Sequence, residues 1–233
     1  MGVLVRIAMD PFAGEVDAWR QIIIFAALAS IVVGALGAIG QQNLKRLLAY
    51  SSINNVGFIL IGLAAATAAG VASVLTYLTI YVAMVIGSFT ALLMLRDPAG
   101  QNLETFADIA GLSTRRPALA WCLLVLMFSL AGIPPLFGFW GKFVVFQAAV
   151  QADLVALAAI GIAASVIGAF YYLKFIKVMF FDEPTRDVET SSPVSHWAVL
   201  GVCVAILSPL GYLLTIPLGE WTAQAAVSFV AAM

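Results

Sequence analysis

Long uncharged apolar stretches alternate with short polar segments along the chain. Residues 21–44, 47–95 and 154–173 contain no Asp, Glu, Lys or Arg. A helix crosses the hydrocarbon core of a bilayer with about 20 residues, and a charge placed there costs several kcal/mol. The pattern therefore predicts three transmembrane helices within residues 19–96 and a further one that includes 154–173.

A longer apolar run, residues 117–152, contains a single charged side chain, Lys142. The run is too long for one straight transmembrane helix and too short for two. It therefore predicts a helix that is interrupted within the membrane. On this interpretation residues 117–181 hold the broken helix and the transmembrane helix that follows it.

The interruption is predicted within LAGIPPLFGFWGKF, residues 130–143. Pro134 and Pro135 remove two backbone donors and clash with the preceding turn, and Gly132 lowers the helix propensity further. Unwound backbone is tolerated at membrane depth where protein or a water-filled cavity covers it. Gly132, Pro134 and Pro135 are therefore the predicted helix break.

Both ends of the chain add apolar segments. Residues 1–9 are too short to cross a bilayer, and their pattern predicts the second half of a transmembrane helix. Residues 194–216 are predicted as the last transmembrane helix, followed by a tail over 217–233. The predicted fold class is all-α, a polytopic transmembrane helix bundle with one broken, discontinuous helix.

Residues 97–116 form the longest polar segment. Within it Leu103, Phe106, Ile109 and Ala110 recur at helical spacing, which is typical of an amphipathic helix lying along a membrane surface. We therefore predict an amphipathic cytoplasmic connector over 97–116.

Basic residues are concentrated in alternate loops. The residues on one side of the predicted membrane are Lys45, Arg46, Arg96, Arg115, Arg116, Lys174, Lys177 and Arg186. Arg20 stands on the other side, near Asp10, Glu15 and Asp17. Because cytoplasmic loops carry the excess of Lys and Arg, the carboxyl terminus is predicted on the non-cytoplasmic side.

Composition excludes several classes of function. Hydrophobic residues make up 63% of the chain and charged residues 10%, and the net charge is −1. No basic stripe is present, so nucleic acid is not a predicted partner, whereas the lipid bilayer is. Cys122 and Cys203 lie in apolar runs, and His196 is the single histidine, so no disulfide framework or metal site is predicted.

Lys142 is the strongest candidate for chemistry. It lies near the middle of its apolar run, too deep for its ammonium group to reach the surface easily. Burial disfavours the charged form of a lysine, so a lysine at this depth can act as a reversible proton carrier. The alternative is a structural lysine paired permanently with a carboxylate or with backbone carbonyls.

Polar side chains are unusually dense in the transmembrane helix that follows Gln42. Hydroxyl and amide groups there either hydrogen-bond neighbouring helices or line a chain of waters. Lys45 at the start of this helix and Lys174 in a later helix can both be interpreted as lysines that extend to the membrane surface. This interpretation fits Lys174 less well than Lys45. The candidates for a proton path are Lys45, Ser51, Ser52, Asn54, Asn55 and Lys174.

Four stretches in this order resemble a known family. They are QQNLKRLLAYSSINNVGFILIGLA at 41–64, FADIAGLSTRRP at 106–117, SLAGIPPLFGFWGKF at 129–143 and YYLKFIKVMFF at 171–181. The chain is similar over about residues 1–181 to the antiporter-like subunits of respiratory complex I, the proton-pumping NADH:quinone oxidoreductase, and most of all to subunit N. Many members carry a histidine at the position of Asn55.

The resemblance implies the C-terminal half of a longer protein with inverted repeats, in which Lys142 is the charge on the broken helix of the second repeat. It implies a proton-translocating subunit of the membrane arm, located in the inner (plasma) membrane with other membrane subunits of complex I as partners. It implies no cofactor in this chain, because NADH, FMN, iron–sulfur clusters and quinone belong to the wider complex. The alternative is a subunit of a multi-subunit cation/proton antiporter, since that family shares the broken-helix and lysine patterns.

Overall fold

The computed structural model describes residues 1–189 and 192–230, and in that part the chain is a bundle of α-helices. The helices are α1 (Gly2–Met9), α2 (Val16–Ile39), α3 (Leu44–Ala64), α4 (Ala68–Leu93), α5 (Leu112–Arg115), α6 (Pro117–Ala131), α7 (Phe137–Gln151), α8 (Val155–Phe181), α9 (Val194–Leu207) and α10 (Thr215–Val230). Short 3₁₀ turns lie at Ala13–Glu15, Ala107–Ile109 and Pro209–Leu214.

Capping residues fix where the central helices begin. The Asn43 side chain accepts a hydrogen bond from the Arg46 amide at 3.1 Å, and Thr67 accepts one from Gly70 at 3.0 Å. Both interactions satisfy amides that have no partner within the helix. Pro117 opens α6, where its missing N–H costs nothing.

Helix α4 lies at the centre of the bundle and contacts α3, α6, α7, α9 and α10. Helices α2 and α3 pack side by side at very short range. A Cβ added at Gly34 would lie 2.5 Å from the backbone nitrogen of Asn54. Such close backbone approach is characteristic of transmembrane helix contacts, where small residues let helices meet.

The interrupted helix consists of α6 and α7. Helix α6 ends at Ala131, where Gly132 adopts a left-handed conformation with φ +79° and its amide donates to the Phe128 and Ser129 carbonyls. Helix α7 resumes at Phe137, after the two prolines. The Gly138 amide donates to Ser129 Oγ at 3.1 Å and so ties the two halves together.

The helices also meet the requirements for crossing a membrane. Among the described residues, four helical segments are long and apolar enough to span it: Ala13–Ile39, Leu44–Ala64, Ala68–Leu93 and Val155–Phe181. Two bent pairs would raise the number to six by length and composition: Ala107–Arg115 with Pro117–Ala131, and Val194–Leu207 with Pro209–Phe229. The predicted fold class, an all-α polytopic transmembrane bundle with a discontinuous helix, is confirmed.

The connector over 97–116 differs from the continuous amphipathic helix that its spacing predicts. It contains the 3₁₀ turn Ala107–Ile109 and the single-turn helix α5, and the rest is irregular. Its backbone pairs with other segments instead: Leu103 N donates to Leu95 O at 3.0 Å, and Leu44 N donates to Glu104 O at 2.7 Å. The four apolar residues of the predicted face are all buried: Leu103, Phe106, Ile109 and Ala110. Tertiary hydrogen bonds have replaced helical ones without changing which side chains are buried.

The C-terminal region also differs from the prediction of one helix over 194–216 and a tail over 217–233. Helix α9 ends at Leu207, and Ser208 is extended before Pro209, so the chain bends by 67°. Residues of the predicted tail form most of α10, which packs against α4. There Thr76 and Thr222 share a hydrogen bond of 3.0 Å. Pro209 cannot continue the α9 ladder, which explains the bend.

Candidate functional site

Lys142 is buried in the first turns of α7, just after the break in the helix. Its side chain is 6% exposed. Nζ donates to the Ala131 carbonyl at 3.0 Å and to Ser165 Oγ on α8 at 2.9 Å. Nζ also lies 4.8 Å from the centroid of the Phe58 ring on α3, a distance at which a cation and a ring attract.

The break creates the hydrogen-bond acceptor that Lys142 uses. Carbonyls in the last turn of a helix have no intrahelical partner, and α6 ends at Ala131. The Ala131 oxygen is therefore available to the ammonium group. Gly132 leaves the space for this contact, because a Cβ there would lie 2.8 Å from Lys142 Cδ.

None of the ion pairs within the described residues involves Lys142. Its polar partners there are one carbonyl and one hydroxyl, both neutral. The permanent pairing with a carboxylate that the structural alternative allows is therefore not seen in this part of the chain, whereas pairing with a backbone carbonyl is. A neutral surrounding leaves the protonation of the amine sensitive to charges that approach it.

A cavity of about 580 Å³ lies in front of Lys142, between α7 and α8. Its polar lining groups include Lys142, Ser165, Gln147 and Gln151. Phenylalanine rings and aliphatic side chains make up most of the remaining surface. The cavity therefore reaches Lys142 through a mostly apolar lining, and no Asp, Glu or Arg is among its lining residues.

A second polar cluster joins α3, α4 and α8 inside the bundle. Asn55 Nδ2 donates to the Ser51 carbonyl at 2.8 Å and to the Tyr172 hydroxyl at 3.2 Å, and Asn55 Oδ1 accepts from the Tyr77 hydroxyl at 2.7 Å. The Tyr172 hydroxyl also contacts Ser51 Oγ. The structure therefore brings the predicted candidates Ser51 and Asn55 into one network. We call these four residues, Ser51, Asn55, Tyr77 and Tyr172, the tyrosine–asparagine network.

This network borders the lysine site without bonding to it directly. The Tyr77 ring lies against the backbone of Gly141, because a Cβ there would be 2.4 Å from the ring. Phe58, one turn beyond Asn55, contacts the Lys142 ammonium. The two sites are neighbours, and their hydrogen bonds run to different partners.

The other candidates from α3 occupy less connected positions. Ser52 Oγ donates to the Leu48 carbonyl at 2.9 Å, a bond within its own helix. Asn54 Nδ2 lies 3.5 Å from the Tyr171 hydroxyl, and Asn54 Oδ1 has no hydrogen-bond partner among the described residues. Asn54 also faces the close contact with Gly34, so packing against α2 explains part of its position.

Lys45 and Lys174 lie at the connector, apart from Lys142. Lys45 Nζ forms an ion pair with Glu104 at 2.6 Å, and Asn43 Nδ2 donates to the same carboxylate at 3.1 Å. The hydrogen bond from Lys45, and to a smaller extent the one from Asn43, holds the pKa of the Glu104 carboxyl below its ordinary value. Lys174 Nζ lies 4.6 Å from the Phe106 ring centroid. Both lysines attach the connector to the bundle.

Several residues of the site were missed by the sequence analysis. Ser165, Tyr77 and Tyr172 each supply a hydroxyl to one of the two polar clusters. The signal available for them is a hydroxyl inside an uncharged transmembrane run, which is common at ordinary helix contacts. Their role depends on which helices meet, and the sequence does not give that.

The family model and the curated relatives that match this chain all point to the same family of membrane proteins. Residues 1–168 match the family described as "NADH:quinone oxidoreductase/Mrp antiporter, TM". The chain is 72% identical over 221 residues to the NADH-quinone oxidoreductase subunit N of Erythrobacter litoralis, a match that covers 95% of the chain and 45% of that protein. It is 55% identical to subunit N of Sphingopyxis alaskensis, covering 97% and 48% respectively. The chain spans about half the length of the curated relatives it matches.

Solved structures show the same fold. A chain of Thermus thermophilus respiratory complex I with bound aureothin superposes with a TM-score of 0.74 at 30% identity, over 85% of this chain and 44% of that one. A chain of the Mrp complex from Dietzia sp. superposes with a TM-score of 0.81 at 22% identity, over 98% and 50%. At that identity the second comparison bears on the fold alone.

Proposed function

We propose a function from one established premise: the chain belongs to the NADH:quinone oxidoreductase/Mrp antiporter transmembrane family. On that basis this chain would be part of a proton-translocating subunit in the membrane arm of an NADH:quinone oxidoreductase, similar to subunit N. The observation that carries the proposal is Lys142, a buried amine beside a broken helix with neutral hydrogen-bond partners. Lys142 would be the proton carrier.

The mechanism follows from what surrounds the amine. When a positive charge approaches, the ammonium form is destabilised and Lys142 releases its proton, and when a negative charge approaches it takes one up. A change of about 1.4 kcal/mol in these interactions alters the protonation equilibrium tenfold. The Ala131 carbonyl and Ser165 hydroxyl can hold the amine in both states, since Ser165 is able to donate or accept.

Protons would reach Lys142 through hydrated polar positions. In the mostly apolar cavity between α7 and α8, Ser165, Gln147 and Gln151 would be the polar positions that share the lining with Lys142. On the bundle side, Ser51, Ser52, Asn54 and Asn55 would line the route, with Lys45 and Lys174 at its cytoplasmic end. The supporting observation is that Ser51 and Asn55 already belong to a buried hydrogen-bond network next to the lysine site.

The energy would come from redox reactions in other subunits of the complex. NADH oxidation and quinone reduction would take place there, and this chain would contribute translocation. We place the protein in the bacterial inner (plasma) membrane with its carboxyl terminus on the non-cytoplasmic side. The names of the relatives and the charges of the loops support this proposal.

Substituting Lys142 in the complete subunit of the assembled complex tests the assignment. We expect Lys142→Ala to lower both proton pumping and coupled quinone reduction in membrane vesicles, because the titrating group is gone. Lys142→Arg keeps a cation whose N–H groups can donate to the Ala131 and Ser165 oxygens, but arginine does not release its proton. It should therefore fail to restore pumping.

Lys177→Ala is the matched control, since Lys177 is an exposed lysine paired with Asp182 at 2.6 Å. It should leave pumping unchanged. Full pumping by Lys142→Ala would contradict the proposal. Full activity of Lys142→Arg together with loss in Lys142→Ala would instead show that the lysine is a structural tie between helices.

A second candidate function is a subunit of a multi-subunit cation/proton antiporter that acts without redox chemistry. The observation that favours it is the family match over residues 1–168, whose description names the Mrp antiporter beside NADH:quinone oxidoreductase. Sodium-driven proton movement in vesicles without NADH would support this function. Neighbouring genes for flavin and iron–sulfur subunits would support the redox complex.

A further inference from the structure

The Phe58 ring on α3 completes the surroundings of the Lys142 ammonium group. An ammonium group has three N–H donors and no acceptor. Two of these donors go to the Ala131 carbonyl at 3.0 Å and to Ser165 Oγ at 2.9 Å, and the described residues offer Nζ no further oxygen. Helix α3 instead presents the face of the Phe58 ring, whose centroid lies 4.8 Å from Nζ.

The position of this ring is fixed by its own contacts. Phe58 is 1% exposed, and its ring meets the Phe146 ring edge to face with the centroids 5.9 Å apart. Phe146 lies one turn after Lys142 on α7, so the two side chains are neighbours on that helix. Gly161 on α8 leaves room for Phe146, since a Cβ there would lie 2.7 Å from its ring. Helices α3, α7 and α8 together therefore hold the Phe58 ring beside the amine.

Of the three contacts of Nζ, the one with the ring depends most on charge. The neutral amine can still donate to the Ala131 carbonyl, and Ser165 can turn its hydroxyl to donate to the amine nitrogen. The ring attracts the ammonium because its face is negative, and a neutral amine has no net charge to attract. The attraction is larger where water is excluded, as it is at the buried Lys142. Phe58 therefore favours the protonated form of Lys142.

The described surroundings of Nζ contain no ion pair that would outweigh the ring. None of the ion pairs there involves Lys142, and no Asp, Glu or Arg lines the cavity in front of it. Titratable side chains on the elements packed against α7 include Lys45 on α3, Tyr77 on α4, Cys122 on α6, Tyr172 and Lys174 on α8, Cys203 on α9 and Tyr212 in the turn before α10. Tyr77 and Tyr172 bond within the tyrosine–asparagine network, and the two lysines lie at the connector.

We propose that Phe58 is a positioning residue for Lys142, whose ring stabilises the ammonium form and so sets the pH range in which this lysine holds a proton. The ring acts through the lysine and takes no part in proton transfer itself. Its effect on pumping rests on the proposed function, in which Lys142 is the proton carrier.

Phenylalanines that carry one, two or three fluorine atoms on the ring test this role at position 58 of the complete subunit in the assembled complex. Fluorine withdraws electron density from the ring face, so the attraction for a cation weakens stepwise while the ring keeps nearly the same shape. The measurement is the number of protons pumped per quinone reduced in membrane vesicles, as a function of pH. Dividing by quinone reduction removes the pH dependence of the redox reactions.

We expect pumping to fail at progressively lower pH as fluorine atoms are added. A weaker ring lets Lys142 lose its proton at lower pH, so the alkaline limb of the profile moves down. Phe58→Leu removes the ring and keeps an apolar side chain, and it should move the limb furthest, by about one pH unit for a tenfold change in the protonation equilibrium. The fluorinated series keeps the test valid if Phe58→Leu fails to assemble.

The same fluorinated residues at position 180 provide the control. The Phe180 ring also meets another ring edge to face, that of Trp121 with centroids 5.4 Å apart, and none of the described cation–ring contacts involves it. Its series should leave the profile unchanged. Equal shifts at positions 58 and 180 would overturn the inference, because they would assign the effect to packing.

Lys142→Ala separates this inference from the proposed function. Loss of pumping in Lys142→Ala together with an unchanged alkaline limb throughout the Phe58 series overturns the role of the ring and leaves the proton carrier in place. Normal pumping in Lys142→Ala overturns the proposed function itself, and with it the effect of Phe58 on pumping. Loss in Lys142→Ala with a stepwise shift at position 58 alone supports both.

Discussion

At the scale of single residues, Gly132 and Lys142 depend on each other. Gly132 terminates α6 with a left-handed backbone, and it leaves the space that the lysine stem fills. The carbonyl freed just before it is the acceptor for the Lys142 ammonium. One glycine thus ends the helix, exposes an acceptor and admits the amine to it.

Replacing Gly132 by alanine should therefore disturb the lysine site. The new Cβ would lie 2.8 Å from Lys142 Cδ, so the side chain must move from its contact with Ala131. We expect Gly132→Ala to reduce proton pumping in vesicles that contain the intact complex, while the complex still assembles. Left-handed backbone adds about 1 kcal/mol of strain for alanine.

Gly100→Ala provides the control for that strain. Gly100 has φ +81°, nearly the same as Gly132, and a Cβ there would have no atom within 4 Å. It should carry the same backbone cost without moving Lys142, and pumping should be normal. Equal losses in the two variants would mean that backbone strain, and not displacement of the lysine, causes the defect.

At the scale of elements, the connector is held to the bundle by pairing at its middle. Glu104 accepts from Lys45 and Asn43, while the backbones of Glu104 and Leu44 pair at 2.7 Å. Asn43 also caps α3 through its Oδ1. The start of α3 and the position of the connector are therefore fixed by the same few side chains.

Attachment of the connector should depend on pH through Glu104. The hydrogen bonds from Lys45 and Asn43 lower the pKa of its carboxyl in the folded protein. Their stabilisation is therefore fully present at pH values above the pKa of Glu104 in the unfolded chain, and it is lost as the pH falls through the pKa of Glu104 in the folded protein. We expect limited proteolysis of the connector in the solubilised subunit to accelerate over that acidic range. Glu104→Gln should remove this acid-dependent step.

The exposed Glu183 provides a matched substitution for comparison. Glu183→Gln should retain the wild-type dependence on pH, because its carboxylate does not contribute to the pairing with Lys45. An unchanged acid-dependent step in Glu104→Gln would assign that step to another carboxyl group.

At the scale of the whole molecule, most of the basic residues lie in the loops on one side of the bundle. The basic residues near the connector include Lys45, Arg115 and Arg186, which pair with Glu104, Asp187 and Asp108 respectively. Positive charge in short loops determines which side faces the cytoplasm. The connector is therefore expected in the cytoplasm, and α10 is expected to end on the other side.

Reporter fusions to the complete subunit test this orientation. A fusion at residue 105 should be active with a cytoplasmic reporter, and one at residue 225 with a reporter that works outside the cytoplasm. Activity of both fusions on the same side would refute the topology.

The sequence alone was sufficient for the class of fold and for the buried lysine. Uncharged runs identify membrane helices because charge in hydrocarbon is costly, and two prolines beside Gly132 identify a break because they remove backbone hydrogen bonds. These are local properties of the chain. They place Lys142 on a broken helix without any knowledge of its neighbours.

Tertiary structure decided everything that depends on which helices meet. Ser165 reaches Lys142 from 23 residues away, and Tyr172 reaches Asn55 from 117 residues away. The connector pairs with α3 instead of forming its own helix, and α10 folds back onto α4. Hydropathy and spacing indicate whether each segment prefers the membrane or water. Hydrogen-bond partners depend instead on how the segments pack, and packing is a property of the whole bundle.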